Sequence, residues 1–296
     1  MNKVQYCPIC NSQKFKSHFE CKDYYATGEE FLICDCEQCG FRFTQNFPDE
    51  DKISRYYETS DYISHSNTQK GIVNKIYHFV RSFMLRRKAN LIEKIAEKKQ
   101  GTLLDFGCGI GFFLNEMNRR GWSVQGIEKS EEARRFAEKQ FGLNIFSNEK
   151  VASLDSKTYD VITSWHSMEH IEFLNQTIDQ LQMALKDDGV WFLAVPNSVS
   201  MDEKIYKSYW AAYDVPRHLW HFSPKSMSAL LQKHGLTIQE MYPMPFDAFY
   251  ISMLSEKYKG NRFSFIRGFV SGLYCYVKSI SNIENSSSII YIIRKS

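Results

Sequence analysis

The chain has 296 residues, enough for one large domain and a small additional module. Hydrophobic residues make up 43% of the sequence and charged residues 24%, which is the composition of a globular protein with a substantial core. The formal net charge of +3 is too small to give the strong positive field that attracts nucleic acid or anionic membranes. No stretch reaches 18 consecutive apolar residues, and the first residues lack the apolar core of a secretory signal. We therefore expect a cytoplasmic protein without a transmembrane segment.

Six of the eight cysteines lie within the first 39 residues. Cys7 and Cys10 form one Cys-x-x-Cys pair, and Cys36 and Cys39 form a second pair that is separated from the first by 25 residues. Each pair on a tight turn can direct two thiolates at one ion, so two pairs complete a tetrahedral shell of four sulfurs. The pattern resembles a zinc ribbon, and it predicts one Zn²⁺ in a module that spans residues 1–46. A disulfide framework is the alternative, which a reducing compartment disfavours.

The other two cysteines of this module, Cys21 and Cys34, are predicted to be buried structural thiols. Because Cys34 is only two positions from Cys36, the choice of zinc ligands stays open at this point. Aromatic residues are frequent in the module and could stack on bases, but residues 1–50 hold five basic and eight acidic side chains. This balance argues against nucleic-acid binding and favours a docking or substrate-covering module.

Residues 47–101 are predicted to be a linker followed by helices. The linker, up to about residue 70, is polar and rich in turn-forming residues. From Ile72 to Lys98 the apolar residues recur at helical spacing, and we expect a break between two helices at Phe83 to Leu85.

The most informative stretch begins at residue 103. An apolar run ends in Asp105, and three glycines follow at alternate positions before a helical pattern begins: Gly107, Gly109 and Gly111. Glycines are needed where the backbone turns sharply and where a ligand approaches main-chain atoms closely. The dinucleotide fingerprint needs another glycine at position 112, where this chain has Phe112. The stretch therefore predicts a strand, a ligand-binding loop and a helix, without the dinucleotide pattern.

The pattern Asp-x-Gly-x-Gly-x-Gly resembles the first motif of class I S-adenosylmethionine (SAM)-dependent methyltransferases. This resemblance implies an α/β fold for residues 102–296, a Rossmann-like seven-stranded sheet with helices on both faces. It also implies that the strand end and the loop hold the methionine part of SAM, through Asp105, Phe106, Gly107, Cys108, Gly109 and Gly111. Glu128 ends the next predicted strand, 21 residues after Gly107, where the family has the acid that binds both ribose hydroxyls. A surface glutamate is the alternative.

The segment from residue 159 to 171 resembles the fourth strand of the same family and the loop that follows it. The resemblance implies that three residues at the strand end line the cofactor site: Ser164, Trp165 and His166. We regard His166 as a candidate for direct contact with cofactor or substrate. Glu169 and His170 are expected to begin a helix and to form a structural pair.

An insertion at residues 198–222 follows the next predicted strand and contains histidines, aromatic residues, an arginine and an aspartate. Ligands bind at the carboxyl ends of the strands in open α/β folds, so this loop is the best candidate for the substrate pocket. We predict that His218 or His221 is the general base and that Arg217 orients the acceptor, with His166 as the next candidate base. A polar network that only pins the loop is the alternative.

A second insertion, residues 246–283, is aromatic-rich and predicted to be helical, and an antiparallel closing strand follows at residues 288–294. Part of the insertion could lie weakly on a membrane surface. A buried lid or a homodimer contact is favoured, because basic residues are sparse on its polar face.

The resemblance as a whole implies a SAM-dependent methyltransferase. A cysteine-rich amino-terminal module joined to such a domain is also similar to sugar C-methyltransferases, although the further carboxyl-terminal domain of those enzymes is not found in these 296 residues. We therefore expect a small-molecule, sugar or glycan/lipid-precursor acceptor. The alternatives are a protein or RNA methyltransferase and a non-catalytic zinc scaffold that binds SAM.

Overall fold

Two β-sheets organise the structure, a computed structural model that describes residues 2–57 and 72–296. The strands are β1 (Phe15–Lys22), β2 (Glu30–Cys36), β3 (Arg42–Gln45), β4 (Thr102–Phe106), β5 (Ser123–Ile127), β6 (Ile145–Phe146), β7 (Tyr159–Trp165), β8 (Leu185–Pro196), β9 (Trp220–His221), β10 (Leu236–Pro243) and β11 (Ser288–Lys295). The helices are α1 (Glu50–Ile53), α2 (Ile72–Ala96), α3 (Phe112–Arg119), α4 (Glu131–Phe141), α5 (Leu174–Ala184), α6 (Met201–Tyr206), α7 (Pro224–Lys233), α8 (Pro245–Tyr258) and α9 (Ser264–Ser281). Much of the predicted linker, residues 58–71, lies outside the described residues.

The larger sheet has seven strands in the order β10-β11-β8-β7-β4-β5-β6. Strand β11 runs antiparallel to both of its neighbours, β8 and β10, whereas the remaining pairs are parallel. The carboxyl ends of β4, β5 and β7 therefore meet at one edge, where an open α/β sheet binds its ligands. This arrangement confirms the predicted Rossmann-like sheet and its antiparallel closing strand.

Side chains that alternate along the central strands build a core on each face of this sheet. Leu103 packs on one face with residues of α2 and α3, and Leu104 packs on the other face with residues of α5 and α7. Helix α2 belongs to the first of these layers through Ala89 and Ile92, which are fully buried. It runs without interruption, so the predicted break at residues 83–85 is wrong.

The smaller sheet joins the amino-terminal module to the rest of the chain. Its order is β1-β2-β3-β9, and β9 comes from the insertion at residues 198–222. Phe43 of β3 pairs with Trp220, and both belong to the same buried cluster as Leu104 of the large sheet. The module and the large domain therefore share a core, and the boundaries predicted for the three regions, 1–46, 47–101 and 102–296, remain predictions.

Helices α8 and α9 pack against each other in antiparallel orientation beside the large sheet. Gly268 and Gly272 of α9 lie against the backbone of α8, where an added Cβ would come within 2.4 and 2.7 Å of backbone atoms of Met253 and Phe249. The outer face of α9 and its preceding loop expose large apolar side chains: Phe263, Phe265, Ile266, Phe269, Val270, Leu273, Tyr274, Val277 and Ile280. The predicted lid, homodimer or membrane-surface contact of this segment stays a prediction. Among the residues described, no helix combines the length and apolarity needed to cross a membrane.

Candidate active site

The glycine loop after β4 has the backbone that its sequence requires. Gly107, Gly109 and Gly111 have φ angles of 76°, 53° and 79°, a region that residues with a Cβ rarely adopt. A Cβ on Gly107 would lie 2.4 Å from Cβ of Ser167, in the loop after β7. A Cβ on Gly109 would meet no heavy atom of the described residues within 4 Å. The loop is thus closed against the protein at Gly107 and open for a ligand at Gly109.

Asp105, the acid at the end of β4, lies inside the sheet. Its side chain is 1% exposed and accepts a hydrogen bond of 2.6 Å from the hydroxyl of Thr163 on β7. Burial raises the pKa of this carboxyl to about 7, although the Thr163 hydroxyl and the nearby Lys88 ammonium oppose the shift. Asp105 therefore ties β4 to β7 at the site, and its predicted contact with SAM remains a prediction.

Glu128, at the end of β5, is fixed against the glycine loop. Its carboxylate accepts one hydrogen bond from the Gly109 backbone N–H at 2.8 Å and another from the Ser130 backbone N–H at 2.9 Å. A carboxylate has about four acceptor positions, so two remain for the hydroxyls of a ribose. The structure thus brings Glu128 and the loop together, and the predicted contact of Glu128 with the ribose hydroxyls remains a prediction.

The three predicted residues at the end of β7 have different surroundings. Ser164 is buried and accepts a hydrogen bond from Nε1 of Trp191 on β8, so its side chain joins strands inside the sheet. Trp165 packs edge-on against Phe113 at a centroid distance of 5.5 Å, and the Lys88 ammonium lies 4.1 Å from the centre of its ring. His166 follows with a φ of 53°, an uncommon conformation for a residue with a side chain.

His166 lies between two carboxylates. Its Nε2 is 3.1 Å from Asp247 and its Nδ1 is 3.4 Å from Glu169. Burial by itself lowers the pKa of this imidazole, but the two carboxylates outweigh burial and raise it to about 9. At neutral pH His166 is therefore a cation, paired with both carboxylates, and is poorly suited to accept a proton.

The predicted substrate loop brings His218 to the same place. Its Nε2 is 4.0 Å from Glu169, and its ring centre is 4.6 Å from that of His170. Its Nδ1 faces the Ala212 carbonyl at 2.9 Å, and its own carbonyl accepts a hydrogen bond from the Thr44 hydroxyl of β3. We call Glu169, His170 and His218 the histidine–carboxylate cluster.

His221, the other predicted base, lies apart from this cluster. Its side chain is 4% exposed, its Nε2 is 3.0 Å from the Thr44 hydroxyl, and its ring packs edge-on against Tyr213. Burial, followed by the charges of His218 and Arg42, lowers its pKa well below the ordinary value, so the imidazole is neutral. The structure places His221 in the small sheet, with its side chain inside the protein.

Arg217 connects the cluster to the amino-terminal module. Its guanidinium pairs with Asp214, lies 3.8 Å from the centre of the Tyr25 ring, and approaches Tyr57 at 5.7 Å. Asp247 and Tyr25 were not among the residues predicted for the site. They are distant from it in sequence, and no local pattern marks them, so only the packing of α8 and of the small sheet reveals their place.

The four predicted zinc ligands come together in the amino-terminal module. The Sγ atoms of Cys7 and Cys39 are 3.5 Å apart, as are those of Cys10 and Cys36, and all four lie within 4.8 Å of one another. A tetrahedral site with Zn–S bonds of 2.3 Å places its sulfurs about 3.8 Å apart, so the donor set fits zinc. Cys21 and Cys34 are buried, and Cys21 donates a hydrogen bond to the Ser208 carbonyl.

Comparison with known proteins identifies relatives of the large domain. A family profile described as "Methyltransferase domain" matches residues 78–241, more than half of the chain. The ubiquinone biosynthesis O-methyltransferase of Pelagibacter ubique is 27% identical over 184 residues, which cover 57% of this chain and 73% of that protein. The mitochondrial ubiquinone biosynthesis O-methyltransferase of Bos taurus is 26% identical over 182 residues, or 54% of this chain. The chain spans only 49% of the length of this bovine relative.

Solved structures share the fold at low sequence identity. The magnesium protoporphyrin IX methyltransferase of Synechocystis PCC 6803, with bound SAH, superposes with a TM-score of 0.55 at 14% identity, over 83% of this chain and 100% of that one. A putative sarcosine dimethylglycine methyltransferase from Galdieria sulphuraria gives a TM-score of 0.53 at 15% identity, over 73% and 88% of the two chains. The strand order, the glycine loop and the family match lead to one conclusion: the chain belongs to the class I SAM-dependent methyltransferase family.

Proposed function

We propose that the protein transfers a methyl group from SAM to the hydroxyl group of a small molecule. The observation that carries the proposal is the open backbone at Gly109 beside the fixed carboxylate of Glu128. The relatives are O-methyltransferases of ubiquinone biosynthesis, which supports a hydroxyl as the acceptor group. Sugars and glycan or lipid precursors also carry hydroxyls and stay within the proposal.

The residues around the glycine loop would bind the cofactor. Glu128 would accept hydrogen bonds from the two ribose hydroxyls, and the loop would pass close to the methionine part, with Asp105, Phe106 and Cys108 as its neighbours. Trp165 and His166 would line the site from the end of β7, and Ser164 would hold that strand end in place. SAM supplies an electrophilic methyl group on a good leaving group, so the protein's main task is to align the acceptor with it.

A proton must leave the acceptor hydroxyl, and among the three predicted bases the geometry favours His218. A carbonyl oxygen can only accept, so the contact with Ala212 places a hydrogen on Nδ1 of His218 and makes Nε2 the nitrogen that accepts a proton in the neutral ring. His166 is already protonated at neutral pH, and His221 is buried beside Thr44. In this proposal Arg217, held by Asp214 and Tyr25, orients a polar or anionic part of the acceptor.

Calorimetry with SAM and its demethylated product tests the cofactor site. Glu128→Ala should leave two ribose hydroxyls poorly paired and weaken SAM binding by about 1–3 kcal/mol. Glu131→Ala is the matched control, because that glutamate lies nearby at the start of α4 and pairs with Arg135 on the surface. Equal SAM affinity in Glu128→Ala and the wild type, or binding of NAD in place of SAM, would show that the assignment is wrong.

Transfer of a labelled methyl group from SAM into separated pools of cell extract tests the acceptor class. We expect label in the small-molecule or glycan pool. Label in the protein or RNA pool would replace the acceptor proposed here. A protein that binds SAM and labels no pool would be a SAM-binding scaffold.

We also propose that the amino-terminal module binds one structural Zn²⁺ through Cys7, Cys10, Cys36 and Cys39. Four thiolates close the coordination shell, so such a site stabilises a fold and leaves no position for a substrate. A module this small has little core of its own, and the metal would supply much of its folding free energy.

A further inference from the structure

The carboxylate of Glu169 is the most unusual polar group of the site. Its side chain is fully buried, and neither carboxylate oxygen has a hydrogen-bond partner among the described residues. The nearest cation, His166, is 3.4 Å away and is shared with Asp247. Buried carboxylates in proteins are paired through hydrogen bonds or coordinate metal ions, because an isolated buried charge is costly.

The two histidines of the cluster are held as metal-binding histidines usually are. Nδ1 of His170 faces the Arg217 carbonyl at 3.0 Å, and Nδ1 of His218 faces the Ala212 carbonyl at 2.9 Å. Since carbonyls only accept, each Nδ1 carries a hydrogen, and in the neutral form of each ring the lone pair is on Nε2. Metal-ligating histidines characteristically donate their other ring N–H to such a partner, which fixes the tautomer and the ring.

The ligand atoms converge. One ring nitrogen from each histidine and one oxygen of Glu169 all lie within 4.8 Å of one another. An ion bound at about 2.0–2.2 Å from each atom would draw them closer together. Glu169 and His170 are held by a short 3₁₀ helix, Met168–His170. His218 is held by the contact of its Nδ1 with the Ala212 carbonyl and by the hydrogen bond that its backbone carbonyl accepts from Thr44.

Charged side chains of both signs surround the cluster. Nε2 of His218 is 3.6 Å from Asp214, and Glu169 is 3.4 Å from Nδ1 of His166. Asp214 pairs in turn with Arg217, and His166 pairs with Asp247.

We propose that Glu169, His170 and His218 bind a divalent transition-metal ion such as Zn²⁺. Two imidazole nitrogens and one carboxylate oxygen form the ligand set of catalytic zinc sites, which keep a fourth position open. Ser167, next to the cluster in sequence, donates a hydrogen bond to the Phe106 carbonyl and packs on Gly107. The segment that carries Glu169 and His170 is therefore anchored to the cofactor loop through Ser167, two residues before Glu169.

The role of this ion in methyl transfer rests on the proposed function. The open position would bind the acceptor oxygen, and His218 would then serve as a ligand in place of a base. The metal lowers the pKa of the bound hydroxyl, which releases its proton to water. The oxygen forms a bond to the methyl carbon, and the electron pair of the broken C–S bond stays on sulfur.

A Co²⁺ titration distinguishes this site from the cysteine site. Full-length protein that carries one Zn²⁺ per chain is titrated with Co²⁺, and binding is followed by calorimetry and absorption. We expect one further equivalent, whose spectrum lacks the charge-transfer bands of thiolate ligands. Changes in the surroundings of a metal site already cost about 10–100-fold in affinity, so Glu169→Gln, His170→Ala and His218→Ala should each weaken binding by more than about 100-fold.

His234→Ala is the control for loss of a histidine, because His234 hydrogen-bonds Asn175 and Asp179 away from the cluster. It should bind Co²⁺ as the wild type does, and SAM affinity shows that each variant is folded. The absence of a second ion from the wild type, or its retention by the folded ligand variants, would overturn the proposal and leave the cluster as a polar network. Methyl transfer is measured on the same samples. Transfer without a second ion would refute the metal site alone, whereas a second ion without transfer to any pool would refute the proposed function alone.

Discussion

The glycine loop and the histidine–carboxylate cluster lie side by side but are built in different ways. The loop and Glu128 come from one continuous stretch of 24 residues, 105–128, in which β4, α3 and β5 follow one another. The cluster combines the loop after β7 with the segment just before β9, and His166, which faces Glu169, also faces Asp247 of α8. The first site is thus built mainly from adjacent elements, with support from β7 and the loop after it, whereas the second exists only when distant segments have packed.

The amino-terminal module contacts the residues around the cluster, which adds a third distant segment to the second site. Its strand β3 pairs with β9, and the Thr44 hydroxyl of β3 holds the carbonyl of His218. Tyr25, in the turn between β1 and β2, lies against Arg217. We call the cluster together with Arg217 the acceptor side of the site, and the glycine loop with Glu128 the cofactor side. We infer that the module supports the acceptor side and that the cofactor side can form without it.

The strongest test of this comparison is the removal of a proposed zinc ligand. Cys36→Ser should lose the metal, unfold the small sheet and abolish methyl transfer, because structural zinc contributes on the order of 10 kcal/mol to the folding of such modules. SAM affinity should fall much less than turnover, since β4 and β5 keep their pairing and lose only the buried neighbours that the module supplies. Metal analysis, calorimetry and turnover measure the three effects.

Cys34→Ala is the control for this variant, because Cys34 is a neighbouring buried thiol outside the group of four proposed ligands. It should keep the metal and the activity. A metal-free Cys36→Ser protein with full turnover would contradict the dependence of the acceptor side on the module.

The second test separates structure from ligand binding within the glycine loop. Gly107→Ala places a residue with a Cβ in a left-handed backbone conformation, and that Cβ lies only 2.4 Å from Ser167. We therefore expect the free energy of unfolding to fall by about 2–5 kcal/mol. Gly109→Ala causes the same conformational strain without that clash, so it should lower the free energy of unfolding by only about 1–2 kcal/mol. Its Cβ would occupy the open side of the loop, so it should still impair SAM binding.

Chemical denaturation and SAM calorimetry on both variants give the comparison. Equal losses of stability would mean that the loop after β7 yields to the added methyl group. The close packing of Ser167 on Gly107 would then be unimportant for the cofactor site.

The smallest effect on the two sites is expected at the opposite end of the same strands. Asp160 of β7 accepts hydrogen bonds from the Thr102 backbone N–H and from the ammonium groups of Lys98 and Lys186. Burial alone would raise its pKa, but these donors hold the pKa well below its ordinary value. Asp160→Asn should therefore cost on the order of 2 kcal/mol of stability at pH 7 and leave both sites intact.

The pH dependence of this variant has a definite sign. A depressed pKa in the folded state stabilises the protein above the unfolded value of about 4 and loses that contribution as the pH falls below it. The stability difference between wild type and Asp160→Asn should thus be constant from pH 7 to about pH 5 and shrink in more acidic solution. Denaturation curves that keep the same difference down to pH 3 would disprove the assignment.

The features that sequence predicted well depend on short-range geometry. The alternation of glycines after Asp105, the position of Glu128 and the two Cys-x-x-Cys pairs all act within one or two consecutive elements, so their spacing fixes which side chains can meet. The seven-stranded sheet was predicted from the resemblance of these motifs to those of class I methyltransferases. The helix break expected at residues 83–85 failed for a tertiary reason, because α2 packs along the sheet and needs no break there.

Tertiary structure decided the chemistry of the acceptor side. Sequence marked His166, His218 and His221 alike, but only packing shows that Asp247 and Glu169 make His166 a cation and that Thr44 lies against His221 inside the protein. Glu169 and His170, predicted to be a structural pair, also face His218, which lies 48 positions after His170 in the chain. The ionisation of a buried side chain depends on neighbours that any part of the chain can supply, and no local pattern in a single sequence records them.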